Sequence, residues 1–177
     1  ARLSLADGLG PQSWWEPQPV TVTLGGVSVP LPPGAFLQAT TDGEAALVDE
    51  ALVMTAGARR VVDLFAGLGT FALAFRRSAV VIAVEGAADA VAALIFAARR
   101  AGRAISVEHR DLFRRPLAPA ELNRVDAVLF DPPRAGARDQ ATALAASKAP
   151  RIVAVSCNPA TFARDARALV DGGYRIE

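Results

Sequence analysis

The single cysteine of this 177-residue chain, Cys157, lies in SCNPATFARD (156–165), directly after the apolar run Ile152–Val155. A thiolate is a strong nucleophile, but a free Cys is also among the most buried residue types and is usually inert. By residue type alone, the core-filler reading outweighs the nucleophile. Three other stretches carry groups able to do chemistry. DLFAGLGTFA (63–72) joins Asp63 to two closely spaced glycines, Gly67 and Gly69. FDPPRAGA (130–137) sets Asp131 and Arg134 on either side of two prolines. Glu85 closes AVVIAVE, and Asp111 follows AISVEH by two residues. One Cys and one His are too few for a zinc site, and no metal is expected. A cysteine-protease pairing also lacks a nearby His. His109, at a strand end beside Arg110, is expected to be solvated and without a chemical role.

The elements that must position these residues alternate along the chain. RRVVDLF, AVVIAVE, AISVEH, VDAVLF and RIVAVS read as buried strands. Between and after them, GTFALAFRR, GAADAVAALIFAARRAG, ARDQATALAAS and PATFARDARALVDGG read as helices. The last begins near Pro159 and ends at Gly172–Gly173, and YRIE reads as the opening of a sixth strand. This order predicts an α/β fold, a doubly wound and mainly parallel sheet with helices on both faces. Ahead of it, TDGEAALVDEALVMTAG (41–57) has helical spacing and ends on Gly57. VTVTLGGVSVPL reads as a hairpin turning at Gly25–Gly26. Residues 1–33 are thus expected to be a short β-rich segment and residues 34–177 the main domain. In such sheets ligands bind at the carboxyl ends of the strands. Asp63 to Thr70, Glu85, Asp111, Asp131 to Arg134 and Ser156 to Pro159 all fall there. Position therefore favours the nucleophile after all, because Cys157 follows a strand end and precedes a helix N-terminus, where a thiolate is stabilised.

The glycine loop suits a nucleotide-like cofactor. Gly67 and Gly69 permit a sharp turn, and a carboxylate at Glu85 can accept hydrogen bonds from both ribose hydroxyls. Gly67-x-Gly69-x-x-Ala72 also meets the looser dinucleotide fingerprint, so a nicotinamide enzyme stays open. S-adenosylmethionine is the other candidate. Asp63 beside the loop suits its ammonium and sulfonium and would repel a pyrophosphate. FDPPR puts an acid at the end of the fourth strand, before two prolines that stiffen the backbone. Methyltransferases acting on exocyclic amines usually carry an aromatic residue after the Asp-Pro-Pro; this chain has Arg134, which argues against that chemistry.

VVDLFAGLGTF, FDPPRAG and SCNPATFARD, in this order, resemble the catalytic domain of the RNA uracil-5-methyltransferase family. The resemblance spans about residues 34–177, and Phe36-x-Gln38 resembles the family motif that precedes the domain. It implies a class I, Rossmann-like domain that uses S-adenosylmethionine to make 5-methyluridine in tRNA or rRNA. It implies Cys157 as the nucleophile that adds to C6 of the uracil, with Asp131 in the catalytic pocket. By matching motif, Gln38, Phe65, Thr70, Glu85, Asp111 and Asp131 would line the cofactor and base pocket, joining Asp63, Gly67 and Gly69 of the glycine loop as the expected cofactor-side positions. Arg134, Asn158 and Pro159 are expected on the substrate side. Thr70 replaces a frequent Asn, and Ala39–Thr40 replace a polar-Asn ending. The family's general base, a Glu beyond the sixth strand, is expected beyond residue 177, so the domain is expected to be incomplete at its C-terminus. A non-catalytic RNA-binding fragment remains the third reading.

Composition sets the outer bounds. At 52% hydrophobic and 21% charged, the chain has the make-up of a globular protein. No apolar run reaches the roughly 20 residues of a membrane-spanning helix. The expectation is a cytoplasmic monomer whose partner is RNA rather than a membrane. Net charge is +1, unevenly spread. Residues 1–57 hold one Arg against six acids, and residues 58–177 hold 17 Arg and one Lys against 12 acids. That basic excess fits a solvated helical face and a phosphate-facing patch equally well.

Overall fold

The computed structural model describes residues 1–7 and 10–177; Gly8 and Leu9, within the expected N-terminal segment, lie outside the described residues. Two antiparallel hairpins come first, where the sequence leads one to expect a single hairpin. β1 (Leu3–Asp7) pairs with β2 (Gly10–Trp15), with Leu3 opposite Trp15 and a register shift between Leu3 and Ser4. Pro11 breaks the pattern that would have marked β2 as a strand; a two-stranded ribbon tolerates it. β3 (Thr21–Leu24) and β4 (Val27–Pro30) form the expected hairpin, with Gly25 and Gly26 both at positive φ. Leu24, Val27 and Val29 are buried in one core with the main sheet.

α1 (Thr41–Met54) is capped by Thr40, whose hydroxyl accepts from Gly43 N–H at 3.1 Å. It stops three residues before Gly57, with the Thr55 hydroxyl bonded back to the Ala51 carbonyl at 2.7 Å. Then come β5 (Arg60–Leu64), β6 (Val80–Glu85), α2 (Ala88–Arg100), β7 (Ile105–His109), the short α3 (Pro119–Leu122), β8 (Ala127–Phe130), α4 (Arg138–Ala145), β9 (Ile152–Ala154) and α5 (Pro159–Asp171). The five strands are parallel, in the order β7-β6-β5-β8-β9.

Two-residue periodicity divides the strand side chains between two cores. Val61, Val81, Ala83, Ala127 and Leu129 pack with α2 and the β3–β4 hairpin. Val62, Leu64, Val84, Val128 and Phe130 pack with Leu144 of α4 and Leu169 of α5. Burial on both faces is what the apolar strand sequences require. The chain reverses its winding direction between β5 and β8, and that switch point is where such sheets form a ligand crevice. Among the described residues, no helix is long and apolar enough to cross a membrane.

Two expected elements differ. GTFALAFRR forms consecutive turns rather than a regular helix. Leu73 N–H reaches the Gly69 carbonyl at 2.9 Å, but Ala72 N–H is taken by the Asp63 carboxylate at 3.0 Å. A side chain from the strand has thus replaced a helical acceptor. YRIE is not a strand. Gly173, at φ +99°, and Tyr174 close α5 by donating to the carbonyls of Val170 and Leu169. This is a Schellman cap, so the Tyr174 N–H is satisfied by the helix end rather than by a ladder.

Candidate active site at the carboxyl edge of the sheet

Leu64 pairs with both Val84 and Phe130, and Phe130 pairs with Ala154. Glu85, Phe65, Asp131 and Val155 therefore form one row at the carboxyl edge, with His109 level with Glu85. Strand alternation places Asp63, Glu85 and Asp131 on the face that also carries the glycine loop. The chain turns sharply at Phe65, which has φ +62° and is the one described non-glycine residue in the left-handed region. That conformation costs about 1–2 kcal/mol. Phe65 is held there by Phe113 and Phe130, with ring centroids 5.5 and 6.2 Å away. Beyond it, Gly67 and Gly69 continue at φ +55° and +94°, conformations a side chain would oppose.

The acids in this row differ sharply in their surroundings. Asp63 is fully buried; Oδ2 accepts from Ala72 N–H, while buried Oδ1 has no partner among the described residues. Burial, reinforced by the nearby Asp131 and Glu85 charges, pushes its carboxyl up to about 8. Burial alone pushes Asp131 up to about 6. Glu85 instead is wrapped by backbone: Oε2 accepts from Gly67 N–H at 2.8 Å, and Oε1 from Gly86 and Ala87 at 2.8 and 2.7 Å. The acid expected to bind ribose thus also fixes the glycine loop. Asp111 accepts from Phe113 and Arg114 N–H at 2.9 and 3.3 Å and caps its own turn. Gln38 and Thr70 are half-buried, and among the described residues their side chains hydrogen-bond to nothing. His109 is more than solvated: its Nε2–H donates to the Gly86 carbonyl at 3.0 Å, securing the turn after Glu85.

The two motifs at β8 and β9 are one structural unit. Val155 N–H bonds the Phe130 carbonyl at 3.0 Å, which carries the sheet past β9. Asn158 caps α5 by accepting from Ala160 N–H at 3.0 Å, and its Nδ2 donates to the Arg134 carbonyl at 3.1 Å. Pro159 occupies the first turn, where its missing N–H is harmless. Thr161 also donates to the Arg134 carbonyl, and Arg164 to the Ala135 carbonyl, each at 3.2 Å. Asp165, buried, accepts from Ala137 N–H at 2.9 Å and pairs with Arg164 at 2.7 Å. Gly136 lets the loop lie against Arg164 and Asp165; a Cβ there would run into both, and its φ is +68°. The proline loop is therefore clamped onto the first two turns of α5. Cys157, between the clamp and β9, is exposed, and the backbone on either side of it is hydrogen-bonded. Arg134 is exposed beside it.

Thr161, Arg164, Asp165 and Phe113 are not singled out by the sequence. The spacing of Thr161, Arg164 and Asp165 (i, i+3, i+4) puts them on one helix face, which is the available cue. Phe113 comes from the turn after β7 and meets Phe65 only in three dimensions. Removal of the clamp is testable. Asp165→Ala leaves Ala137 N–H without its acceptor and Arg164 without its carboxylate partner, a cost of roughly 2–3 kcal/mol. Urea denaturation should show that loss and hydrogen exchange a faster Ala137 amide. An Ala137 amide as protected as in wild type would mean that Asp165 does not hold the loop.

Residues 96–176 match the family model described as tRNA (Uracil-5-)-methyltransferase. The chain is 56% identical over 174 residues to an uncharacterised RNA methyltransferase of Zymomonas mobilis, covering 98% of this chain and 44% of that protein. It is 44% identical over 161 residues to the 23S rRNA (uracil-C5)-methyltransferase RlmD of Chromohalobacter salexigens, covering 89% of this chain and 32% of that protein. Among solved structures, it is similar to the Pyrococcus abyssi tRNA (uracil-54, C5)-methyltransferase in complex with S-adenosyl-L-homocysteine. The TM-score is 0.79 at 26% identity, over 99% of this chain and 44% of that one. A Thermus thermophilus 16S rRNA methyltransferase shares the fold at TM-score 0.55 and 23% identity, over 77% of this chain and 39% of that one. The chain spans less than half the length of the curated relatives it matches.

Proposed function

We propose, from the premise that this chain is related through residues 96–176 to the tRNA (uracil-5-)-methyltransferase family, that it carries the cofactor cradle and the nucleophile for methylation of a uridine C5 in structured RNA. The observation that supports this most is the clamp between the proline loop and α5. It holds exposed Cys157 in the same edge region as Asp131, Phe65 and the glycine loop.

The residues fit S-adenosylmethionine better than a dinucleotide. Asp63 has an unpartnered buried oxygen, and neither Asp63 nor Asp131 has a cationic partner among the described residues. A ligand with an ammonium and a sulfonium would compensate these acids, whereas a pyrophosphate would meet like charge. Glu85 would serve the ribose, and Phe65 with Phe113 would offer aromatic surface to the adenine. S-adenosylmethionine supplies an electrophilic methyl group on a cationic sulfur.

Cys157 answers the weak nucleophilicity of uracil C5. Its thiolate adds to C6, forming a C–S bond and moving the π electron pair towards C5 and the O4 carbonyl. C5 is then electron-rich enough to be methylated. Once C5 has lost its proton to a base, that pair re-forms the double bond and the C6–S bond breaks, returning the thiolate. Asp131, beside the pocket, would hydrogen-bond the uracil or the cofactor amine. Arg134 would meet phosphate. The uridine must be turned out of its stack to reach Cys157.

Calorimetry on this chain tests the cofactor half of the reading. Binding of S-adenosyl-L-homocysteine with no heat from NAD is expected. Binding of NAD in preference would overturn the proposal and restore the dehydrogenase alternative.

A further inference from the structure

The sheet has a second edge, formed by the amino-terminal ends of its strands and opposite the edge that carries Cys157. Each of its five strands is entered from a basic residue. Arg60 opens β5, Arg77 precedes β6, Arg100 ends the helix before β7, Arg124 precedes β8 and Arg151 precedes β9. In three cases the preceding residue is also Arg. All five named side chains are exposed. The strand starts lie level: Arg60 and Arg151 carbonyls accept from Asp126 and Val128 N–H at 2.7 and 2.9 Å. Arg77 reaches the turn after α2, its Nη1 3.5 Å from where a Cβ on Gly102 would sit. Five strands at roughly 4.8 Å spacing make this a continuous basic band about 19 Å long.

Charge pairing differs between the two edges, although at the carboxyl edge Arg115 and Arg134 are likewise exposed and outside the ion pairs among the described residues. At the carboxyl edge and its loops, Arg110 is bound by Glu108 and Glu121, Arg114 by Asp111, and Arg164 by Asp165. At the amino edge, among the described residues, none of the five guanidinium groups is in an ion pair. Arg151 makes one 3.3 Å bond to the Ala56 carbonyl. An acid on this edge, Asp126, turns Oδ2 to the backbone N–H groups of Arg59 and Arg60, both at 2.8 Å. Asp171, on the last turn of α5, pairs with Arg167. Exposed Arg side chains outside any ion pair, repeated along one edge, can bind phosphates, and apart from the Arg151 bond to Ala56 no fold contact accounts for them.

We propose that this amino-terminal edge is a second RNA-binding surface, which grips phosphates of a segment other than the one presenting the reactive uridine. The proposal rests on the RNA-methyltransferase reading for its choice of polyanion. Strand length alone, about 17 Å for five residues, separates the two edges. A short stem–loop in the active site would not reach the band, whereas a large folded RNA would.

The test uses the full-length protein and the triple variant Arg77→Gln, Arg100→Gln, Arg124→Gln, with its thermal midpoint checked against wild type. Binding of an unmodified tRNA transcript is measured across a salt series, beside a short stem–loop. The variant should bind the transcript at least ~10-fold more weakly, with a log K against log salt slope shallower by about 2–3. Stem–loop affinity should be unchanged. An unchanged transcript affinity and slope would overturn the proposal, as would loss of binding to anionic phospholipid vesicles with RNA binding intact. If transcript binding weakens as expected but wild-type protein transfers no methyl group to unmodified tRNA or to 16S and 23S rRNA transcripts, the surface stands and the enzymatic reading falls.

Discussion

Replacing Cys157 with Ala in the full-length protein should abolish methyl transfer to RNA, by on the order of 10⁴-fold or more. Cofactor affinity and thermal midpoint should stay near wild type. Cys157 is exposed, while its neighbours Val155, Ser156 and Asn158 carry the hydrogen bonds that shape the loop. The thiol therefore supports no core, and its removal should change stability by no more than about 0.5 kcal/mol. Loss of transfer with retained folding and cofactor binding would isolate the covalent step. A variant that still transfers methyl groups at a tenth of the wild-type rate would remove Cys157 from the mechanism.

Asp63→Asn should have opposite effects on stability and on binding. The carboxyl of Asp63 is raised from 3.8 to about 8 in the fold. Below pH 3.8 both folded and unfolded chains hold the proton, and the stabilisation from proton retention is fully present. As pH rises towards 8, the unfolded state releases the proton first, so folded stability falls across that window and the loss is complete above it. Asn cannot ionise, yet its amide oxygen can still accept from Ala72 N–H. The variant should thus gain on wild type progressively from about pH 4 to about pH 8, by roughly 2–4 kcal/mol at the alkaline end. In the proposed mode of binding it should also bind S-adenosyl-L-homocysteine about 10–100-fold more weakly, because the carboxyl that would ionise opposite the ligand's cationic amine is gone. Thermal melts across pH, paired with calorimetry, read both effects. A melting difference that stays flat with pH would show that Asp63 is not a buried acid awaiting a cationic ligand.

Much of this site is legible in the sequence because its chemistry lies at strand ends. Apolar runs locate the five parallel strands, and the residues at or just beyond their carboxyl ends, Glu85, Asp131 and Cys157, form a set before any contact is known. The 3.6-residue periodicity and Asn158–Pro159 mark the start of α5 within a residue. Other features depend on contacts between segments remote in sequence. The 69–77 segment reads as a helix by composition, but Asp63 intercepts the Ala72 N–H from the neighbouring strand. YRIE reads as a sixth strand, whereas the Gly173 cap takes Tyr174 to close α5. Pro11 hides the β1–β2 hairpin. The role of FARD is not inferable from the chain, since Arg164 and Asp165 act on backbone groups of residues 135 and 137, nearly 30 positions away. The basic excess of the C-terminal two thirds is visible as a count, but the row of Arg residues at the strand starts opposite Cys157 emerges only from the sheet order.

A covalent bond between Cys157 and C6 of uracil lies at the centre of the proposed mechanism. It is tested most directly by incubating the full-length protein and S-adenosylmethionine with RNA containing 5-fluorouridine, whose C5 fluorine cannot leave as a proton. Mass spectrometry of the tryptic digest should find the modified nucleotide on the peptide Ile152–Arg164, attached at Cys157. Methyl transfer to uridine C5 with no adduct on that peptide, or with the adduct on another residue, would contradict the mechanism.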